Sequence, residues 1–216
     1  MANKKIINTN PDEYNGIDFK SKAEKMIYKA LLEVGIQAEY EAHTFVLSPK
    51  VRPTVPFYNR TKINGFHLIT SPMSQITYTP DFTFTLNGVF VIIEVKGWEN
   101  DVFPLKRNLF RKYLETVDYP VIYFEIRSKK ELLQALEIVN MEHRLIQTMR
   151  KLISSLSEKD IPIANKLLAN RNFDDLQDLV DSAISKVKKD RRKYANVDLD
   201  NLQTLSGVVS EYASQL

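Results

Sequence analysis

The sequence predicts an α/β fold: a core with a central mixed sheet over residues 1–140, followed by an all-helical extension over residues 141–216. Three observations carry this. Helical and strand periods alternate through the first part in the order α-β-β-β-α-β-α. Asn87-Gly88 lies between two runs of apolar and β-branched residues, the strongest short-range hairpin signal there is. Beyond about Asn140 strand signals vanish and only helical periods remain.

Taken in order, residues 1–19 read as a polar lead-in. A helix follows from Ser21, because Ala23, Met26, Ile27, Ala30, Leu31 and Val34 recur with helical spacing, and Gly35 supplies its stop. Glu24 falls at the edge of that apolar stripe, about 90° from its centre, where it can look across at a sheet. A strand is expected near Gln37–Glu41. Residues 48–75 hold Pro49, Pro53, Pro56 and Pro72 and read as an irregular insertion, with some strand near Phe66–Thr70. After the hairpin, Gly97-Trp98 begins a polar bend. A helix then runs from Pro104 to Val117 with Leu105, Leu109, Tyr113 and Val117 inward and Lys106, Arg107, Arg111 and Lys112 elsewhere on it. Pro120 opens the strand VIYFEI, and Ser128-Lys-Lys-Glu131 is a capping box that starts a long helix. Segments 160–170, 173–193 and 198–215 complete the helical region, broken near residues 170–172 and 196–198.

The hairpin also dictates a register. A two-residue turn at Asn87-Gly88 pairs Leu86 with Val89, Phe84 with Val91, Phe82 with Ile93, and Asp81 with Glu94. Directly opposite residues share a face, with Cβ atoms roughly 4.5–5.5 Å apart. Lys96 points to that face too, since side chains alternate along a strand. Opposed carboxylates destabilise a strand pair unless something neutralises them. A hard divalent cation such as Mg²⁺ does so, because it prefers carboxylate oxygens. The competing reading is a chance D…ExK in which Lys96 merely pairs with Glu94.

Composition narrows the function classes. Hydrophobic residues at 44% and charged residues at 26% are those of an ordinary globular chain, not a disordered one. With no cysteine, disulfide scaffolds and thiolate zinc sites are excluded. No apolar run is long enough for a membrane span, and MANKKIINTN has no signal-peptide core, so an intracellular, cytoplasmic protein is expected. A net charge of +3 permits a polyanionic partner without proving one. The run Lys186–Lys193 suits a solvated helix face slightly better than a phosphate track. His43, His67 and His143 are scattered, which argues against a histidine metal cluster.

In combination, Glu24 on the first helix, Pro80-Asp81 and Glu94-Val95-Lys96 resemble the PD-(D/E)xK nuclease superfamily. The stretches SKAEKMIYKALLEVGIQAEYE, TYTPDF and FVIIEVKGWEND, followed by a basic helix, are most similar to its phage endonuclease I branch, the Holliday-junction resolvases, and to related phage nucleases. The resemblance implies an α-β-β-β-α-β core and a Mg²⁺-dependent DNA endonuclease in which Mn²⁺ substitutes. It makes Asp81, Glu94 and the Val95 carbonyl metal ligands. Glu24 becomes the carboxylate at a second metal or its water, and Lys96 the group that positions the nucleophile. Two cations can supply the water, the charge relief and the leaving-group stabilisation that phosphodiester hydrolysis needs, so no nucleophilic side chain is required.

Two features depart from the resolvase pattern: the 48–75 insertion and the helical tail. Branched or structured DNA is therefore the expected substrate class. An end-cleaving subunit of a transposition system and a non-cleaving nucleic-acid-binding or assembly protein stay open as alternatives. Lys106, Arg107, Arg111 and Lys112 are the expected DNA contacts. The tail helices, which show no core of their own in the sequence, are expected to form a homodimer or dock a partner protein.

Overall fold

The computed structural model describes residues 12–61, 65–97 and 102–214. Cα packing divides the chain into two compact units, Met1–Ala135 and Leu136–Leu216.

The first unit opens on a small antiparallel hairpin, β1 (Asp12–Tyr14) and β2 (Ile17–Phe19), turned by Asn15-Gly16 with both residues at positive φ. The lead-in expected over residues 1–19 is therefore structured from Asp12 onward. The signal was present: Asn15-Gly16 is the same dipeptide that turns the later hairpin. The hairpin delivers Phe19, fully buried, against Tyr28, Tyr40 and Phe82.

Helix α1 (Lys22–Glu33) follows. Its buried residues are Glu24, Ile27, Tyr28, Ala30 and Leu31, whereas Met26 and Val34 are exposed. The stripe is thus rotated from the expected one. Glu24, Ile27, Tyr28 and Leu31 form an i, i+3, i+4, i+7 set, which puts Glu24 inside the buried face rather than at its edge. Tyr28, with an apolar ring and a polar tip, hid that rotation in the sequence.

The central sheet has the order β10-β9-β8-β3, from β3 (Glu39–Tyr40), β8 (Phe82–Leu86), β9 (Val89–Val95) and β10 (Val121–Ile126). β10 runs parallel to β9 and the other pairs are antiparallel, so the sheet is mixed as expected. The β8–β9 register is the one counted from Asn87-Gly88: Leu86 faces Val89, Phe84 faces Val91 and Phe82 faces Ile93. One face of the sheet carries Phe82 against Phe19 and Tyr28, the α1 side. The other carries Ile92 in a cluster with Phe45, Tyr78 and Phe110.

Residues 48–75 prove more regular than an irregular insertion. β4 (Phe45–Ser48) pairs with β7 (Ile76–Tyr78), Val51 bridges to Met73, and β5 (Phe57–Thr61) and β6 (Gly65–Ile69) form a hairpin at the tip. The prolines, read as loop markers, fall between these paired segments. Trp98, part of the expected bend, lies outside the described residues.

Helix α2 (Phe103–Leu114) buries Phe110, with Phe103, Tyr113 and Leu114 packed on the same cluster, while Leu105 is exposed. The inward face is thus centred on aromatics and not on Leu105 and Leu109. Ring contacts explain the choice: Phe110 stacks on Tyr78 at 4.3 Å between centroids and meets Tyr123 edge-on at 5.4 Å.

Helix α3 (Lys129–Ile153) starts at Ser128, whose Oγ accepts from the Glu131 N–H, and the unit division falls within it. The second unit continues through α4 (Asp160–Ala169), α5 (Phe173–Lys189) and α6 (Leu199–Ala213). It has a core of its own, including Met149, Ile153, Leu176, Leu202 and Leu205, all essentially inaccessible. The expectation of apolar faces left without a core is corrected here: the helices satisfy one another. The run Lys186–Lys193 leaves only Val187 buried, so its charges form a solvated face. Among the described residues no helix is long and apolar enough to cross a membrane.

Candidate active site

Strand pairing between β8 and β9 stops at Phe82–Ile93, one step before the expected Asp81–Glu94 pair. The cause is Pro80, which faces Val95 in this register and has no N–H to offer a ladder. The Asp81 carbonyl turns away to accept from the Glu41 N–H at 2.9 Å. Its carboxylate takes the vacated ladder position instead, Oδ2 accepting from the Val95 N–H at 2.6 Å. Asp81 therefore sits at the end of the sheet and not on one face. The same proline leaves the Val95 carbonyl with no β8 donor.

Glu94 and Lys96 project from the face that carries Ile92, as alternation requires. Lys96 Nζ donates to Glu94 Oε1 at 2.7 Å, and both side chains are largely buried. Glu94 Oε2 accepts from the Tyr78 hydroxyl at 2.6 Å, and Tyr78 lies 3.0 Å from the Tyr123 hydroxyl. The Lys96 ammonium also lies over the Phe103 ring, 2.9 Å from its centroid. Sequence reading missed Tyr78, Tyr123 and Phe103. The available signal for Tyr78 was its place two residues before Pro80, as the one long polar side chain of a short strand.

Glu24 arrives from the α1 side of the sheet. Its Oε1 accepts from Ser21 Oγ at 2.7 Å, and Oε2 accepts from the Tyr40 hydroxyl at 2.6 Å and the Lys20 N–H at 3.1 Å. Ser21 Oγ in turn accepts from the Glu24 N–H. Ser21-Lys-Ala-Glu24 is thus a capping motif of the S-x-x-E kind, worth about 1 kcal/mol to the helix start. Both carboxylate oxygens accept from protein donors, as those of Glu94 do, and Glu24 also adds its charge to the field at Asp81.

Glutamine serves in a capping box as glutamate does. Glu24→Gln should therefore leave the melting temperature nearly unchanged while weakening cation affinity or turnover by about 10- to 100-fold, the usual cost of losing an outer partner. A merely structural Glu24 would show no such split between thermal melting and kinetics.

These groups meet electrostatically at Asp81. Burial, then the negative charges of Glu94 and Glu24, push its carboxyl up from 3.8 to about 8, against the Val95 N–H and the Lys96 charge, which lower it. Burial and the Glu24 bond likewise raise Tyr40, and burial and Glu94 raise Tyr78, so both phenols stay protonated donors. The arrangement fits a hard divalent cation. Asp81, Glu94 and the Val95 carbonyl are oxygen donors at one strand end, the ligand type that Mg²⁺ prefers, and Mg²⁺ typically takes few protein ligands and keeps several waters. Among the described residues no three acidic or histidine side chains form a ready-made cage, so the carbonyl and water have to complete any shell.

The shift at Asp81 has a sign that can be read in solution. A carboxyl held above its unfolded value stabilises the fold fully below about pH 4, and that contribution is lost as pH rises through about 8. Without divalent cation, the melting temperature should fall between about pH 5 and about pH 8. Mg²⁺ should raise it more at the upper end, where the carboxylate is ionised. A Mg²⁺ effect independent of pH would contradict this arrangement.

Residues 4–131 match the family described as "Protein of unknown function (DUF1064)". The chain belongs to that family. Its matched region takes in Glu24, Asp81, Glu94, Val95 and Lys96, and ends near the boundary of the first unit. No curated protein and no solved structure matches the chain.

The basic residues of α2 divide between two environments. Arg107 reaches inward and pairs with Glu125 at 3.2 Å, and Glu125 also accepts from the Tyr123 hydroxyl at 3.1 Å. Glu125 lies beside Glu94 in the β9–β10 register, so Arg107 belongs to the charge network around the site more than to an open surface. Arg111 and Lys112 are exposed in the last turn, and Lys106 is half-buried. Of the histidines, His43 is 2.9 Å from the Thr83 hydroxyl and edge-on to Phe90, and His67 lies exposed in β6.

Proposed function

We propose that this member of the DUF1064 family is a divalent-cation-dependent DNA endonuclease of the PD-(D/E)xK type, acting on branched or otherwise structured DNA. One observation carries the reading. On a mixed sheet, the end of a hairpin places Asp81 beside the Glu94–Lys96 pair and within the field of a helix-borne Glu24, and burial first, then the charges of Glu94 and Glu24, hold the Asp81 carboxyl above its usual range. A fold has no stability reason to collect such charge at one strand end; a cation and a phosphate supply one.

Asp81, Glu94 and the Val95 carbonyl would hold Mg²⁺, or Mn²⁺ in its place. When bound, the cation supplies relief of phosphoryl charge and an acidified water. Lys96 presents its ammonium beside Glu94, where a water can be oriented and where negative charge develops in transfer. Tyr78 fixes the Glu94 carboxylate through its hydroxyl, and Glu24 sets the field at Asp81. Arg111 and Lys112 offer backbone contacts, while Arg107 is engaged with Glu125. Incubation of the purified protein with linear duplex, single-stranded, flap and four-way-junction DNA tests the reading. Cleavage with Mg²⁺ or Mn²⁺ and none in EDTA is expected. No cleavage of any substrate with either cation sinks it.

A further inference from the structure

The arm formed by residues 49–75 extends the β4–β7 ribbon, whose residue Tyr78 holds Glu94. Its tip hairpin exposes large apolar side chains to an unusual degree: Phe66 is 73% exposed, Phe57 58%, Tyr58 56% and Leu68 50%. In the register of β5 with β6, Tyr58 faces Leu68 and Arg60 faces Phe66, so these four share one side of the ribbon. An isolated two-stranded hairpin with an uncovered apolar side is marginal in water, which points to a partner that covers it.

The charge of this region decides which partner. Between Glu41 and Asp81 the chain has no acidic residue, while it carries Lys50, Arg52, Arg60 and Lys62. Four positive charges and no negative ones make +4, more than the +3 of the whole protein. An isologous contact between two copies would set like charges against each other. A polyanion with flat apolar groups is complementary on both counts. Bases stack on exposed aromatic rings, and lysine and arginine neutralise the phosphates between them.

We infer that the β5–β6 hairpin is a DNA-binding arm that engages unpaired or splayed bases. Tyr58 and Phe66 are the stacking platforms, and Arg52 and Arg60 contact the backbone. The inference rests on the reading of the chain as a nuclease for structured DNA, and it names the feature that this nuclease would recognise: bases freed from the duplex stack at a branch or flap.

Binding in EDTA separates this inference from catalysis. Fluorescence anisotropy of the full chain should be measured with a four-way junction, a single strand and a linear duplex of equal length. Tyr58→Ala with Phe66→Ala should weaken binding to the single strand and the junction at least about tenfold, given about 5- to 150-fold per stacked base, and affect the linear duplex less. The salt slope should hardly change. Arg52→Ala with Arg60→Ala should weaken all three and flatten the slope by about 0.7–0.9 for each phosphate no longer neutralised. Circular dichroism checks that these exposed substitutions leave the fold intact.

Unchanged affinity in both double variants overturns the inference. So does unchanged affinity with loss of a dimer in sedimentation, which would assign the hairpin to a second copy. A chain that binds through the hairpin but cuts nothing with Mg²⁺ supports the arm and sinks the nuclease reading. A chain that cuts while both variants bind normally does the reverse.

Discussion

Asp81→Asn and Glu94→Gln should each abolish DNA cleavage, a loss of about 10³-fold or more, while leaving DNA binding intact or tighter. Asp81 stands at the strand end with Oδ2 on the Val95 N–H, and Glu94, whose oxygens accept from Lys96 and Tyr78, would share them with the cation. Each replacement removes one anionic ligand and one source of repulsion toward phosphate. Asp81→Asn also keeps an oxygen for the Val95 N–H, so the hairpin end should survive. A nicking assay on supercoiled plasmid, with a gel-shift measurement in parallel, reads both effects. Cleavage at the wild-type rate by either variant would remove the carboxylates from the mechanism.

The second large effect is expected at Lys96. Lys96→Ala should cost about 10²- to 10³-fold in turnover, the range for losing one group aimed at developing charge. Cation affinity should change far less, because the ammonium is a counter-ion of Glu94 and not a ligand. The substitution also removes a positive charge that lowers the Asp81 pKa, so the alkaline rise of any remaining activity should move to higher pH. If Lys96 serves only to neutralise Glu94, the variant should bind Mg²⁺ more tightly and cut as well as the wild type. Comparing pH–rate profiles with cation titrations separates the two roles.

How much of this was legible depends on how local the signal is. The β8–β9 register followed from one dipeptide, since Asn87-Gly88 dictates the turn and the turn dictates every pair down to Phe82–Ile93. The tail helices were legible from their period and their breaks. The rotation of α1 was not, because Tyr28 and Glu24 are polar by type yet inward by position. Nor was the orientation of α2, where Phe110 wins the inward place through ring contacts with Tyr78 and Tyr123 that are far away in sequence.

At the site, the hairpin register singled out Asp81, Glu94 and Lys96, Glu24 joined them through the resemblance to the nuclease superfamily, and the charges of the other three act on Asp81. Their supporting groups were hidden for a different reason. Tyr78, Tyr123 and Glu125 act through hydrogen bonds across three strands, and strand order is not written locally. The departure of Asp81 from the strand pair, by contrast, was readable: Pro80 cannot donate, so the ladder had to end there.

The central claim is that Asp81 and Glu94 hold a divalent cation, and direct binding tests it without DNA. Isothermal titration of Mn²⁺ and Mg²⁺ should be run on the wild-type chain and on the Asp81→Asn, Glu94→Gln double variant at about pH 8, where the Asp81 carboxyl is substantially ionised. Saturable binding with proton release by the wild type, and its loss in the double variant, is the result expected. Equal affinity in the two proteins would contradict the assignment.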